Sequence, residues 1–341
     1  MKNRVKCLFI SMFFILCPAW SNTNEKLSAP LSVESEIVQI PRPTLRFAPK
    51  FKSVSLRDRV FEALQLSKQD DLSLSTELVR IYNKKPDLML SEVALYLNDT
   101  DDDIRFAVID IASAFKTERA LSMLMSLLDD AVVGHMAAKK LYLRYSTTEL
   151  LTRGGSRLKN ALLRASIRNR YAKESVLMLS LYKSDQKILN FLNNRRVSYI
   201  GSKLSAESHS VELMSVDLAL AEIGDSASQK RISLLFSQKK ISDILALLGQ
   251  LKFVNSKKVL LPIVALLKDK SKARLVGFED SPSTLRYTRL CDEALVVLAE
   301  KTGYKIRPFY DAPPAFSNKE LSDAYSYFQA LFNKEIEMVK Q

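Results

Sequence analysis

Apolar residues return every three or four positions from about residue 54 onward, which is the period of one face of an α-helix. Val60, Ala63, Leu64 and Leu66 mark a first helix. Leu74, Leu78, Val79 and Tyr82 mark a second that stops before Lys84-Lys85-Pro86. Leu90, Val93, Ala94 and Leu97 give a third, closed by Asn98-Asp99. A fourth carries Ile104, Ala107, Val108, Ile111 and Ala112, with Asp101 to Asp103 supplying a cap and favourable charge at its positive end. Leu121, Leu124, Leu127 and Leu128 define a fifth, and Val133, Ala137, Ala138 and Leu141 continue the series. A pair of such helices cannot cover its own apolar face, so it must stack on its neighbours.

Thr152-Arg153-Gly154-Gly155-Ser156 holds the only glycine pair and predicts a break. Helices follow around 157–168, 172–183 and 185–193, then a looser stretch near 195–209. A second regular block starts at Val211 and runs through Val216, Leu220 and Ile223, with further helices over 227–237, 241–252 and 256–268. Arg274 to Pro282 reads as a longer loop before a helix over 285–301, which Thr302-Gly303 ends with a left-handed cap. The last helix, 317–334, opens on a Ser317–Glu320 capping box.

The first residues follow a different rule. Lys2, Arg4 and Lys6 precede an apolar run from Cys7 to Cys17, Pro18 breaks it, and Ala19-Trp20-Ser21 offers small residues for cleavage. This is the pattern of an export signal over 1–21, cut after Ser21 and leading to the periplasm or outside. The run is well short of the ~20 residues a spanning helix needs, so no transmembrane segment is expected in the mature chain. Pro30, Pro41, Pro43 and Pro49 make 22–52 an extended leader.

Composition sharpens these readings. Only 8 Gly and 11 Pro in 341 residues is sparse for a turn-rich β-sandwich and ordinary for a helical chain. The formal net charge of +13 falls to +10 once the signal leaves with its three cations. Cys7 and Cys17 leave too, so Cys291 remains alone and neither a disulfide framework nor a cysteine-bound zinc is possible within one chain. Its helical surroundings favour a buried packing role.

Asp101, Ile104, Arg105 and Ala107, followed by Ala120, Leu121, Leu124, Leu127, Leu128 and Asp130, resemble bacterial HEAT-like repeats. A second partial copy runs from Leu260 to Asp269 and, after an insertion, through Arg289-Leu290-Cys291-Asp292-Glu293-Ala294-Leu295. The resemblance covers roughly 90–145 and 255–303; across 146–209 the aspartate and arginine positions are not filled. It implies an all-α fold over 53–341, an α-solenoid of stacked antiparallel helix pairs with a break near 146–156 or 195–209. It also implies protein recognition through a concave face. Some cytoplasmic relatives act on bilin chromophores, a chemistry that nothing in this sequence matches. Within the repeat Arg105 is expected to pair with a carboxylate of a neighbouring repeat.

Candidate chemistry is thin. His135 and His209 are the only histidines and form no His-Glu-x-x-His pattern. No nucleophile elbow, phosphate loop or dinucleotide fingerprint is present, so no catalytic residue, metal or cofactor is assigned. One constellation stands out. On a helix from Ser156, the residues Arg157, Arg164 and Arg168 fall within about 40° of one another, with Lys159, Arg170 and Lys173 on the other flank. No acidic residue lies between Leu150 and Lys173. Such a stripe either grips anions or is balanced by carboxylates of the next repeat.

The sequence thus predicts a non-enzymatic, exported scaffold that binds another protein, an acidic one if the basic stripe is used. Adaptor, assembly factor and immunity-type inhibitor all fit. The alternative is binding to an anionic envelope polymer or lipid surface through the stripe. A third reading, an enzyme without a recognisable motif, is disfavoured, and export argues against nucleic acid.

Overall fold

The computed structural model describes residues 50–338 apart from 70, 169–172, 202–205, 239, 277–285 and 310–313, with no side-chain description for 201–210 and 334–338. The expected signal, the leader up to residue 49 and Arg170 lie outside the described residues. The described chain is mostly helical, with one small two-stranded sheet. No helix among the described residues is long and apolar enough to cross a membrane.

The first helices are α1 (Leu56–Ser67), α2 (Ser73–Tyr82), α3 (Pro86–Val93), α4 (Asp102–Ser113), α5 (Glu118–Leu127) and α6 (Gly134–Arg144). Short polar side chains start them. Ser55 accepts from the Asp58 amide at 3.1 Å, Asp101 from that of Asp103 at 2.9 Å and Thr117 from that of Ala120 at 3.2 Å. Asp130 takes the amides of Val132 and Val133 at the entry to α6. Arg105 forms its ion pair with Asp130 at 2.9 Å, and with Asp102 of its own helix. Asp130 closes the same α4–α5 pair, so the expected partner in a neighbouring repeat is corrected. The antiparallel return of α5 brings that aspartate back beside the start of α4.

A short α7 (Thr147–Glu149), capped by Ser146 and Glu149, runs through a π-turn (Leu150–Gly154) into α8 (Gly155–Arg168). The glycine pair is needed there. Gly155 has φ +50°, and a Cβ on Gly154 would lie 2.7 Å from Leu158 Cβ. Next come α9 (Lys173–Leu179), α10 (Gln186–Gly201), α11 (Ala206–Ile223), α12 (Ser226–Ser237), α13 (Ile241–Leu248) and α14 (Lys257–Ala265). The stretch expected to be looser is helical up to Gly201 and again from Ala206, because Ile188, Leu192 and Tyr199 continue one packed face.

Of the loop expected over 274–282, residues 274–276 are strand instead and the rest lies outside the described residues, and the helix expected from 285 begins later. Strand β1 (Lys272–Val276) pairs antiparallel with β2 (Arg286–Arg289), aligning Leu275 with Tyr287, and α15 (Leu290–Thr302) starts only afterwards. Buried Thr288 accounts for the strand: its hydroxyl donates to Glu293 at 2.7 Å, while Arg274 grips the same carboxylate through two nitrogens. Helix α15 ends at Gly303 with φ +73°, and α16 (Asn318–Met338) opens on the Ser317–Glu320 capping box.

Extensive packing joins helices close in chain order, for example α4 with α5 and α6, α9 with α6, α8 and α11, and α14 with α12, α15 and α16. Two helices are buried on every side, α9 from Ser175 to Leu179 and α11 from Met214 to Glu222. One contact spans the chain. The Lys252 amide donates to Tyr142 Oη at 3.1 Å, Lys252 Nζ to the Leu143 carbonyl at 2.6 Å, and Phe253 meets the Tyr142 ring edge to face.

Two substitutions test this packing. Gly154→Ala forces buried Leu158 to shift and should cost about 1–3 kcal/mol in urea unfolding. Asp292 is buried, binds Arg289 through both oxygens and accepts the Phe316 amide at 3.1 Å. Asp292→Ala strands Arg289 and should cost about 3–5 kcal/mol, with α16 losing hydrogen-exchange protection first.

Candidate functional site

Helix α8 turns Leu158, Ala161, Leu162, Ala165 and Ser166 inward and leaves its cations outside. The expected stripe then divides. Arg164 pairs with Asp129, just after α5, at 2.8 Å, and Lys159 with Asp185, just before α10, at 2.6 Å. The Lys159 ammonium holds the Asp185 carboxyl below the usual range. Lys173 sits 3.7 Å from the carboxylate of its neighbour Glu174, which burial pushes up. Arg153 adds a pair to Glu118 at the start of α5. The Arg164 and Lys159 pairs tie α8 to segments before and after it, the Arg153 pair ties the turn before α8 to α5, and the Lys173 pair stays within α9.

Arg157 and Arg168 differ. Both are exposed, and among the described residues neither has a carboxylate partner. Ile167 stands between them and Lys159 around the helix, at 63% exposure. Helix α10 adds Val197 at 65% and Ile200 at 62%. The two helices meet where Arg195 donates to the Ser166 carbonyl, which brings the end of α8 against the second half of α10. Arg195 is held there by Tyr199 at 2.9 Å and by the faces of Phe191 and Tyr199. Val197 and Ile200 sit about 140–200° round α10 from Arg195 and so face away from this contact, and Arg157 lies about 15 Å along α8 from Ile167, which leaves Arg168 as the exposed cation beside Ile167.

Sequence reasoning found the arginines and missed the exposed aliphatic residues. Ile167 lies on the solvent arc of the predicted α8, and that position was the available signal. Val197 and Ile200 fell in the stretch read as loose.

The seam between α9, α10 and α11, lined by Lys173, Val176, Arg195, Tyr199, Glu212 and Ser215, has no room for a water molecule. His135 is half-buried, its Nδ1 is 2.9 Å from the Val132 carbonyl, and its ring packs on Phe106. Among the described residues no three His, Cys, Asp or Glu side chains stand together as a metal site. Cys291 is buried, which pushes its thiol up.

The paired and free cations should separate in a stability measurement. Arg164→Ala is expected to lower unfolding free energy by about 0.2–1 kcal/mol, and Arg157→Ala or Arg168→Ala to leave it unchanged within that range. Urea melts at low and high salt check this, since only the Arg164 loss should shrink with salt.

Comparison with protein-family models, with curated proteins and with solved structures returned no match to this chain.

Proposed function

We propose that the protein is an exported, non-catalytic recognition scaffold, a stack of antiparallel helix pairs of the HEAT-like kind, that binds another protein bearing an acidic face. The observation that carries this reading is the exposed end of α8. Arg168 follows Ile167 there, and among the described residues neither it nor Arg157, further along the same helix, has a carboxylate partner. Apolar anchors next to guanidinium groups suit protein recognition, because burying the anchors supplies affinity and bidentate arginines select carboxylates. Packing between helices close in chain order supports the stack. The lysine-rich start and apolar run of residues 1–21 support export.

A second reading uses the same residues. Aliphatic side chains standing beside cations also suit the headgroup region of an anionic bilayer.

One experiment separates them. Tagged chain is used to recover proteins from an envelope extract, and in parallel is sedimented with phosphatidylglycerol or phosphatidylcholine vesicles. Recovery of one protein, abolished by Arg157→Glu with Arg168→Glu and by Ile167→Asp, is expected. Salt-sensitive sedimentation with the anionic vesicles alone, reduced by the same changes, transfers the function to the second reading. If neither binding depends on these residues, the surface has been misassigned.

A further inference from the structure

The contact between Tyr142 at the end of α6 and the turn Leu251–Phe253 after α13 brings together segments 110 residues apart in sequence. Tyr142, Leu251 and Phe253 are buried in the core, and the polar part of the contact is built from few groups. Tyr142 Oη accepts the Lys252 amide, the Leu143 carbonyl accepts Lys252 Nζ, and the Tyr142 and Phe253 rings meet at 5.0 Å and 88°. Lys301 of α15 completes it by donating its Nζ to the Lys252 carbonyl. Both ammonium groups therefore rest on main-chain oxygen in half-buried positions, and neither forms an ion pair among the described residues. Lys252 also lies over the Tyr142 and Phe253 rings, at 5.8 and 5.6 Å.

This differs from the other cross-helix charges. Asp217, Glu222, Asp292 and Glu293 are each buried and each matched by a cation. Here two like charges are desolvated side by side, which is costly in their protonated form. Leu143 is still 37% exposed, so water reaches the edge of the contact.

We propose that the Tyr142–Lys252–Lys301 contact is a releasable clasp, which opens without unfolding the helices on either side and so sets how tightly the series of helices closes on itself. A partner that binds the open form better would draw the equilibrium that way. Opening itself needs no partner and is independent of the binding surface on α8.

The charged surroundings fix the direction of its pH dependence. Lys252 faces Lys116, Glu149, Glu300 and Lys301, and Lys301 faces Glu300 and Glu222. The carboxylates favour the protonated amines, yet burial outweighs them and brings both lysines down to about 8. Burial pushes the Tyr142 hydroxyl up, so it stays protonated throughout. The open form restores ordinary lysines near 10.5, so it binds more protons than the closed form between about pH 8 and about pH 10.5. Closure therefore strengthens as pH rises through that window and is insensitive to pH below it.

Native-state hydrogen exchange of the full chain in increasing sub-denaturing urea reads this directly. Peptides over 141–145 and 250–254 should exchange through an opening with a shallower urea slope than the α11 peptide 213–222. Tyr142→Phe, which removes the acceptor for the Lys252 amide, should speed the first two about tenfold and leave the third unchanged. After correction for intrinsic rates, the opening constant should fall between about pH 7.5 and about pH 9.5, and Lys252→Met should flatten that fall. Exchange of all three peptides with one slope, or an opening constant that ignores pH, overturns the clasp.

Discussion

Asp217 and Glu222 are carboxylates on a helix that water barely reaches, their side chains only 4% and 2% exposed. An uncompensated charge there would cost several kcal/mol, so neighbouring elements must bring partners. Asp217 takes Arg231 through two nitrogens and the Ser228 hydroxyl, which positions α12. Glu222 takes Lys183, from the turn after α9, and the amides of Asn255 and Ser256 at the entry to α14. One helix, enclosed from Met214 to Glu222, thereby sets the places of three other segments. Ser215, bonded to Gln250 at 2.6 Å, ties in the turn after α13 as well.

The same rule, weakened by solvent, explains what the basic residues of α8 do. Arg164 and Lys159 meet carboxylates at half-exposed positions, where an ion pair aligns helices and adds little free energy. Arg157 and Arg168 are left over from that alignment. The stripe that looked uniform in sequence is two populations, one paired with carboxylates of neighbouring segments and one exposed to solvent.

Much of the helical pattern was legible because it is local. Asp101, Ser317 with Glu320, Gly303 and the Gly154–Gly155 pair act within a few residues of themselves, so their roles follow from spacing alone. Burial of Cys291 followed from its helical context. What failed depends on partners far along the chain. The hairpin forms because Arg274 and Thr288 share Glu293, a convergence that no periodicity reports. Arg105 pairs with Asp130 because of how α5 returns beside α4. The exposed aliphatic residues of α10 were hidden for the opposite reason, since Val197 and Ile200 continue a helix whose sequence carries a weak apolar stripe.

The hold on Phe316 has a consequence for how the C-terminal region tolerates change. Its amide is gripped by Asp292 and its carbonyl by Arg289, both from the opening of α15, and neither bond involves the side chain. The place where α16 begins is thus specified by main-chain atoms anchored to α15. A substitution at residue 316 removes the group that forms neither anchor.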